Sequence, residues 1–513
     1  MRAIACSACR SGSGTAAFAA LLLLAAPLAA QPPAAPKPAE PDLAKLEAEM
    51  KHDAVERLLG FARVAEGNRV PSRARDAYQQ ILDYYDDDNG VARYALGFRK
   101  EKGVWELLPA NKQPSWLDTG DYEHRQRTAE TWAGLTRRLA GLHRTLGLKM
   151  LAHGDAERGR LMLERAIGFD PSDVEAHKAL GHGQFHGFYG TADKVAFLER
   201  MAAIEAKAKE LGAKRYKIEA LPASAMPDEL KRTGLMMTGA RSDTFTVWAH
   251  TSQEKTSDIA AWGERALDFL AFLLPGQESY ATEGFAHAKN WGWVGFLSGD
   301  EARDLFFAKN PAALGTESLD TIRQFGSHAF DAAGSHATVH WAQTGHELDC
   351  IVSEVAEQCF AAGCNHGFGT GLVHAVTWLL LGSADTWYEE VPEEKSDPVL
   401  GSTDTRVWLA KLRGQIKDHK DIPLQQMPCE AAVSFRLRTK SWYFAIWLFA
   451  RHPDRWYVLM RAFAEKGGQT PDECAAVFES VLGVKVGDLE AEWRDWAGGE
   501  SAMAKVSGHG LGK

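Results

Sequence analysis

Ser353, Glu354 and Glu357 belong to the stretch SEVAE, whose apolar neighbours Ile351, Val352, Val355, Ala356, Cys359 and Phe360 recur with a helical period. The three polar residues therefore share the opposite face of a helix, at positions i, i+1 and i+4. Two donors one turn apart, with a carboxylate beside the first, is how a helix holds a zinc ion and activates its bound water. Here the two donor positions carry a neutral hydroxyl, Ser353, and a lone carboxylate, Glu357. A hydroxyl is a poor zinc ligand, and one carboxylate does not hold the ion by itself. The expectation is a helix that presents Glu354 with no metal beside it.

Other chemistry competes for the same region. His328, His336, His340, His346, His366 and His374 fall within fifty residues of one another, six of the chain's 18 histidines. His346 and Cys350 are four apart, so a relocated metal site built from His346, Cys350 and either His366 or His374 is the competing reading. Against it, the helix is expected to begin near Asp349, leaving His346 in a loop where one-turn geometry does not hold. The plainer alternative puts His336 and His340 on one face of a strand and leaves the others to cap or pack. Glu354 and Glu357 form a carboxylate pair, but glycoside hydrolysis needs its two carboxyls on opposite sides of a sugar. The glycines of HGFGTG, Gly367, Gly369 and Gly371, mimic a phosphate loop. No strand precedes them as such a loop requires, so they read as a connector over a cleft.

The elements that position these residues divide the chain. Residues 42–112 carry apolar residues at three- and four-residue spacing, the mark of a helical hairpin followed by a short turn segment. A second copy of that plan occupies 113–215; ALGF at 95–98 and ALGH at 179–182 close the two copies. Residues 216–243 read as a linker. From Thr244 the pattern alternates between strands (TFTVWAH, NWGWVGFLS, HATVHWAQ) and helices (DIAAWGERALDFLAFLL, DEARDLFFAKN), and becomes mainly helical beyond Trp378. This argues an α+β fold class: an all-α module, then an α+β domain over 244–497 with a helical C-terminal part. Residues 498–513 read as a flexible tail.

The stretch AERGRLMLERAIGFDP resembles tetratricopeptide-type repeats, which pair helices that cannot bury their apolar faces alone. Residues 244–497 resemble the gluzincin-like (peptidase MA-like) family. SEVAE stands where that family has HExxH, WLLLGSADTWY where it has its WLxEGLAxY segment, and the terminal helices with EAEW where it has its own. The resemblance implies that Ser353, Glu357 and Leu381 occupy the three ligand positions and that Glu354 is the vestige of the general base. It also implies a cleft lined by Glu354, His340, Trp378 and Tyr443, with strand 336–343 as an edge that binds extended peptide. Leu381 would place apolar bulk where a charge is needed. No zinc or other cofactor is expected, zinc entering only under the relocated-ligand alternative of an active metal-dependent hydrolase.

Composition bounds the rest. The 513 residues are too many for one core, and 45% hydrophobic with 25% charged residues is ordinary globular composition. A net charge of −10 with no long basic run argues against a nucleic-acid partner. Arg2 and Arg10 precede the apolar run Ala16–Ala26, so residues 1–30 read as a signal peptide and 31–41 as a Pro/Ala tether. The expected location is exported: periplasmic, cell envelope or extracellular, and not transmembrane after signal cleavage. The five cysteines beyond the signal are too few for a disulfide scaffold, Cys359 and Cys364 being the pair closest in sequence. The expected function is a non-catalytic pseudopeptidase that binds protein or peptide partners.

Overall fold

The computed structural model describes residues 42–274, 291–323, 326–332, 335–341, 346–360, 366–382, 405–429, 434–466, 470–499 and 503. The expected signal peptide and tether, Cys364 and most of the expected tail lie outside the described residues. Met503 is described and is buried in the hydrophobic core. The chain forms two compact units, 1–159 and 160–513, a division that falls inside the second of the expected helical modules.

The first unit opens with α1 (Leu43–Gly67), α2 (Pro71–Tyr84) and the short α3 (Gly90–Ala95), followed by a hairpin of β1 (Phe98–Glu101) and β2 (Val104–Leu107) and the long α4 (Tyr122–Ala152). Local capping chemistry starts three of these helices: the Asp42, Asn89 and Asp121 side chains each accept an N-terminal backbone N–H. Leu58, Ala62, Ala74, Ala77, Ile81, Leu139 and Met150 are fully or almost fully buried, the stripe that the three- and four-residue spacing requires. Polar contacts cross this core: Tyr85 Oη lies 2.8 Å from His143 Nε2, and Asn68 Nδ2 donates to Thr128 Oγ1 at 3.0 Å.

The order of elements then repeats. After α4 come α5 (Ala156–Phe169), the short α6 (Val174–Ala179) and a hairpin of β3 (Gly183–Phe185) and β4 (Phe188–Gly190). α2 and α5 each have 14 residues, and α3 and α6 each have 6. In the second unit these lead into α7 (Ala192–Ala213).

A six-stranded mixed sheet organises the second unit, in the order β5-β6-β7-β8-β10-β9. Its strands are β5 (Glu219–Leu221), β6 (Thr238–Arg241), β7 (Thr246–Ala249), β8 (Trp291–Phe296), β9 (Ser327–Ala332) and β10 (Ser335–His340). β7, β8 and β10 run parallel, and the other pairings are antiparallel. Residues 216–243, expected to be a linker, thus supply two strands of the sheet, separated by α8 (Asp228–Lys231). Gly239 explains how so weak a strand sequence fits: a Cβ there would meet the Trp248 ring at 2.5–2.8 Å. Tertiary packing overrides β-propensity at this position.

Alternation along β7, β8 and β10 separates two hydrophobic layers. Trp248, Trp293, Ala337 and Val339 join Phe306, Phe307 and Ile322 from α10 (Asp300–Lys309) and α11 (Leu319–Ile322). Val247, Ala249, Val294 and Phe296 join the larger layer. That layer contains α7, α9 (Gln253–Leu273), α12 (Glu347–Phe360), α13 (His366–Leu381), α14 (Thr405–Lys417), α15 (Phe435–Arg451), α16 (Trp456–Lys466), α17 (Pro471–Leu482) and α18 (Val486–Ala497). The fold is therefore mixed α and β, with one sheet between helical layers.

Two features of the helical layer were not expected. HGFGTG, read as a connector, opens α13, and Gly371 lies where α13 crosses α15: an added Cβ would sit 2.7 Å from the Ser441 carbonyl oxygen. Below that crossing, Lys440 is wholly buried, with Nζ 2.7 Å from Asp421 Oδ2 and 2.5 Å from Glu490 Oε1. Arg494 completes the network, 3.1 Å from Asp421 Oδ1 and 3.0 Å from Glu490 Oε1.

Candidate functional site

β10 and α12 build the site between them. β10 turns Thr338 and His340 to the side opposite Ala337 and Val339, where they meet Glu354 on α12. Thr338 Oγ1 donates to Glu354 Oε1 at 3.3 Å, and Gln358 Nε2, one helical turn on, donates to the same oxygen at 3.1 Å. His340 Nε2 lies 3.3 Å from Glu354 Oε2, and its ring stacks on Phe296 at 5.0 Å and 11°. Glu354 and His340 are 4% and 5% exposed, so these protein groups take the place of solvent around the carboxylate.

Burial pushes the Glu354 carboxyl up. The hydrogen bond and charge of His340, together with Gln358 and Thr338, outweigh it and hold the group below the usual carboxylate range. A carboxyl depressed in the folded state contributes stability that is complete above its unfolded pKa and is lost as pH falls through its folded value. Glu354→Gln is therefore expected to cost about 1–3 kcal/mol at neutral pH. The gap between wild type and variant should close as pH drops below about 4, toward full protonation of the wild-type carboxyl. Urea unfolding across pH 3–7 reads this; a gap that stays constant with pH would refute the ion-pair assignment.

The three residues assigned to ligand positions have the following surroundings. Ser353 is buried, its Oγ 3.2 Å from Oγ1 of Thr377, which itself donates to the Val373 carbonyl at 3.0 Å. Glu357 is half-buried one turn along α12. Leu381 packs on the hydrophobic core one turn beyond Thr377, about 6 Å further along α13. It is thus Thr377 that faces Ser353 across the helix pair. The donor set does not suit zinc: one hydroxyl is tied to a second hydroxyl, one position is a leucine, and the adjacent carboxylate is already surrounded by His340, Gln358 and Thr338.

The residues of the alternative site divide. His346 precedes α12, with Nδ1 3.4 Å from Asp349 Oδ2, and the Cys350 thiol donates to the His346 carbonyl at 3.0 Å. His374 is fully buried on α13, edge-on to Trp408 at 5.9 Å; burial, then the charge of Arg438, lowers its pKa to about 3. His366 opens α13, and its side chain is outside the described residues. Among the described residues, no three His, Cys, Asp or Glu side chains converge in a way that could hold a metal ion.

Of the remaining cleft residues, Trp378 meets Trp442 edge-on at 5.5 Å, and Tyr443 stacks on Trp496 at 4.5 Å and 15°. Burial raises the Tyr443 pKa, with Arg413 opposing it. Both are aromatic packing in the helical layer. Strand 336–343, expected to be an exposed edge, is interior instead: β10 is hydrogen-bonded to β8 on one side and β9 on the other. The edge belongs to β9, whose residues SHAFDA carry one aromatic and no β-branched residue, so the sequence signalled it weakly.

One pair escaped sequence reasoning altogether. His250 follows β7 and Ser298 follows β8, and the structure sets Ser298 Oγ 2.6 Å from His250 Nδ1 at the C-terminal ends of two parallel strands. The two are 48 positions apart, so spacing could not have linked them. Among the described residues no carboxylate hydrogen-bonds to His250, so the third member of a nucleophilic triad is missing.

Comparison with known proteins assigns no relative: no protein-family model matches the chain, and neither does any curated protein or solved structure. Among the described residues no helix is long and apolar enough to cross a membrane.

Proposed function

We propose that the chain is an exported, non-catalytic scaffold of gluzincin-like descent that binds protein or peptide partners through its helical parts. The observation that carries this reading is the closure of Glu354. A general base must reach a water or a substrate, whereas both Glu354 oxygens face protein groups and Ser353 is tied to Thr377. Such an arrangement uses the polar face of α12 for internal packing. The twofold succession of long helix, 14-residue helix, 6-residue helix and hairpin supports tetratricopeptide-like modules, which characteristically hold partners. Exposed apolar side chains support the same side of the reading. Val91 and Tyr94, one turn apart on α3, are each more than half exposed and suit contact with another protein.

Metal analysis with a hydrolysis assay tests the proposal. Chain purified without chelators should carry far less than one zinc per molecule and leave casein and mixed peptides uncut, with or without added zinc. Stoichiometric zinc, together with hydrolysis abolished by Glu354→Gln, would replace the scaffold with an active hydrolase.

A further inference from the structure

Cys429 and Cys474 come from segments 45 residues apart and meet with their Sγ atoms 3.3 Å from each other. Cys429 ends the 3-10 turn Leu424–Cys429 and is half-buried, and Cys474 lies wholly buried in the first turn of α17. A disulfide has its sulfurs about 2.0 Å apart, so closure needs an approach of about 1.3 Å, within reach of side-chain adjustment. From this geometry we infer that Cys429 and Cys474 are the site of an intramolecular cross-link that locks the helical platform supporting α13.

The position gives the cross-link its effect. The chain between the two cysteines contains α15 and α16, and α15 packs along α13 through the Gly371–Ser441 contact. At its other end, the segment from Asp421 to Cys429 is held by the Lys440 and Arg494 ion network. A bond at Cys429 would fasten the second end of that segment to α17. Closing a loop of this length restricts the unfolded chain, which is the main source of stabilisation in the chain-entropy account.

The chemistry requires an oxidant, and a low-molecular-weight disulfide RSSR supplies it. The half-exposed Cys429 thiolate attacks one sulfur of RSSR, forming a Cys429–S–S–R mixed disulfide and releasing RSH. Cys474 then attacks the Cys429 sulfur, its proton passes to solvent, and a second RSH leaves. Two cysteine thiols are oxidised and one RSSR is reduced to two RSH. Burial, the largest cause and the one that persists once Cys429 is a mixed disulfide, pushes the Cys474 thiol up. The second step should therefore quicken about tenfold per pH unit between pH 7 and 9, as the thiolate fraction grows.

The test uses the full chain equilibrated with oxidised glutathione, alkylated after unfolding and mapped by mass spectrometry without reduction. A peptide pair joining Cys429 to Cys474 is expected, with a thermal midpoint at least about 5 °C above that of the dithiothreitol-treated chain. Cys429→Ser and Cys474→Ala should each abolish the redox dependence of the midpoint, and Cys350→Ser should retain it. Two findings would each overturn the inference. One is full alkylation of both cysteines after the glutathione treatment; the other is an unchanged redox dependence in Cys429→Ser.

Discussion

Acidification from pH 7 to pH 4 is expected to cost the second unit about 3 kcal/mol through His374 alone. The imidazole is fully buried on α13, and burial together with Arg438 lowers its pKa from the ordinary 6.5 to about 3. Between those two values the unfolded chain binds a proton that the folded chain refuses. Unfolding is then favoured as pH falls, by up to about 1.4 kcal/mol per pH unit, and the loss is complete only near the folded value. His452 adds to it in the same direction, its pKa lowered to about 4 by burial and the charges of Arg451 and Arg455. The Glu354 contribution enters at lower pH, below the ordinary carboxylate value, so the two effects separate along the pH axis. Urea unfolding of wild type and His374→Leu at pH 7, 5.5 and 4 measures the difference. The variant should lose markedly less stability on acidification; an equal loss in both proteins would exclude His374 as the source.

Removing the Lys440 charge is expected to be as severe. Lys440→Met leaves Asp421, whose side chain is wholly buried, and Glu490, 10% exposed, with Arg494 alone among the described residues to neutralise them. Breaking one partner of a buried ion pair typically costs about 3–5 kcal/mol, because the uncompensated charge remains away from water. The fourth charge in this network tempers the loss without cancelling it. Adding Glu490→Gln to Lys440→Met should recover part of the stability, since it restores charge balance within the cluster. A Lys440→Met protein within 1 kcal/mol of wild type in denaturant unfolding would mean that solvent reaches the cluster.

The sequence announced the helices better than the sheet. Pairs such as α1 and α2 were legible because their apolar residues recur at the spacing that one buried face demands, and α12 was legible for the same reason. β5 and β6 were not, since EAL and TGAR offer no β-branched run and owe their place to Gly239 lying against Trp248. The glycines of HGFGTG looked like a loop because glycine disfavours helix interiors. Gly371 is tolerated there because no side chain fits between α13 and Ser441. At the candidate site, the resemblance placed Glu354 and His340 in one cleft, but their direct contact comes from a strand packing on a helix. Spacing along either element does not encode such a contact. The Lys440 contacts and the Cys429–Cys474 approach were illegible for the same reason: Lys440 lies 19 and 50 residues from Asp421 and Glu490, and the two cysteines lie 45 apart.

The placement of β10 inside the sheet has a consequence for self-association. A strand satisfied on both flanks offers no template onto which a foreign chain could zip, so among the described strands growth of the sheet is confined to its two rims. One rim is β5, only three residues long, and the other is β9, where Asp331 stands 85% exposed and pairs with His336 at 2.8 Å. Brevity guards the first and charge guards the second, two devices by which native sheets escape fibrous aggregation.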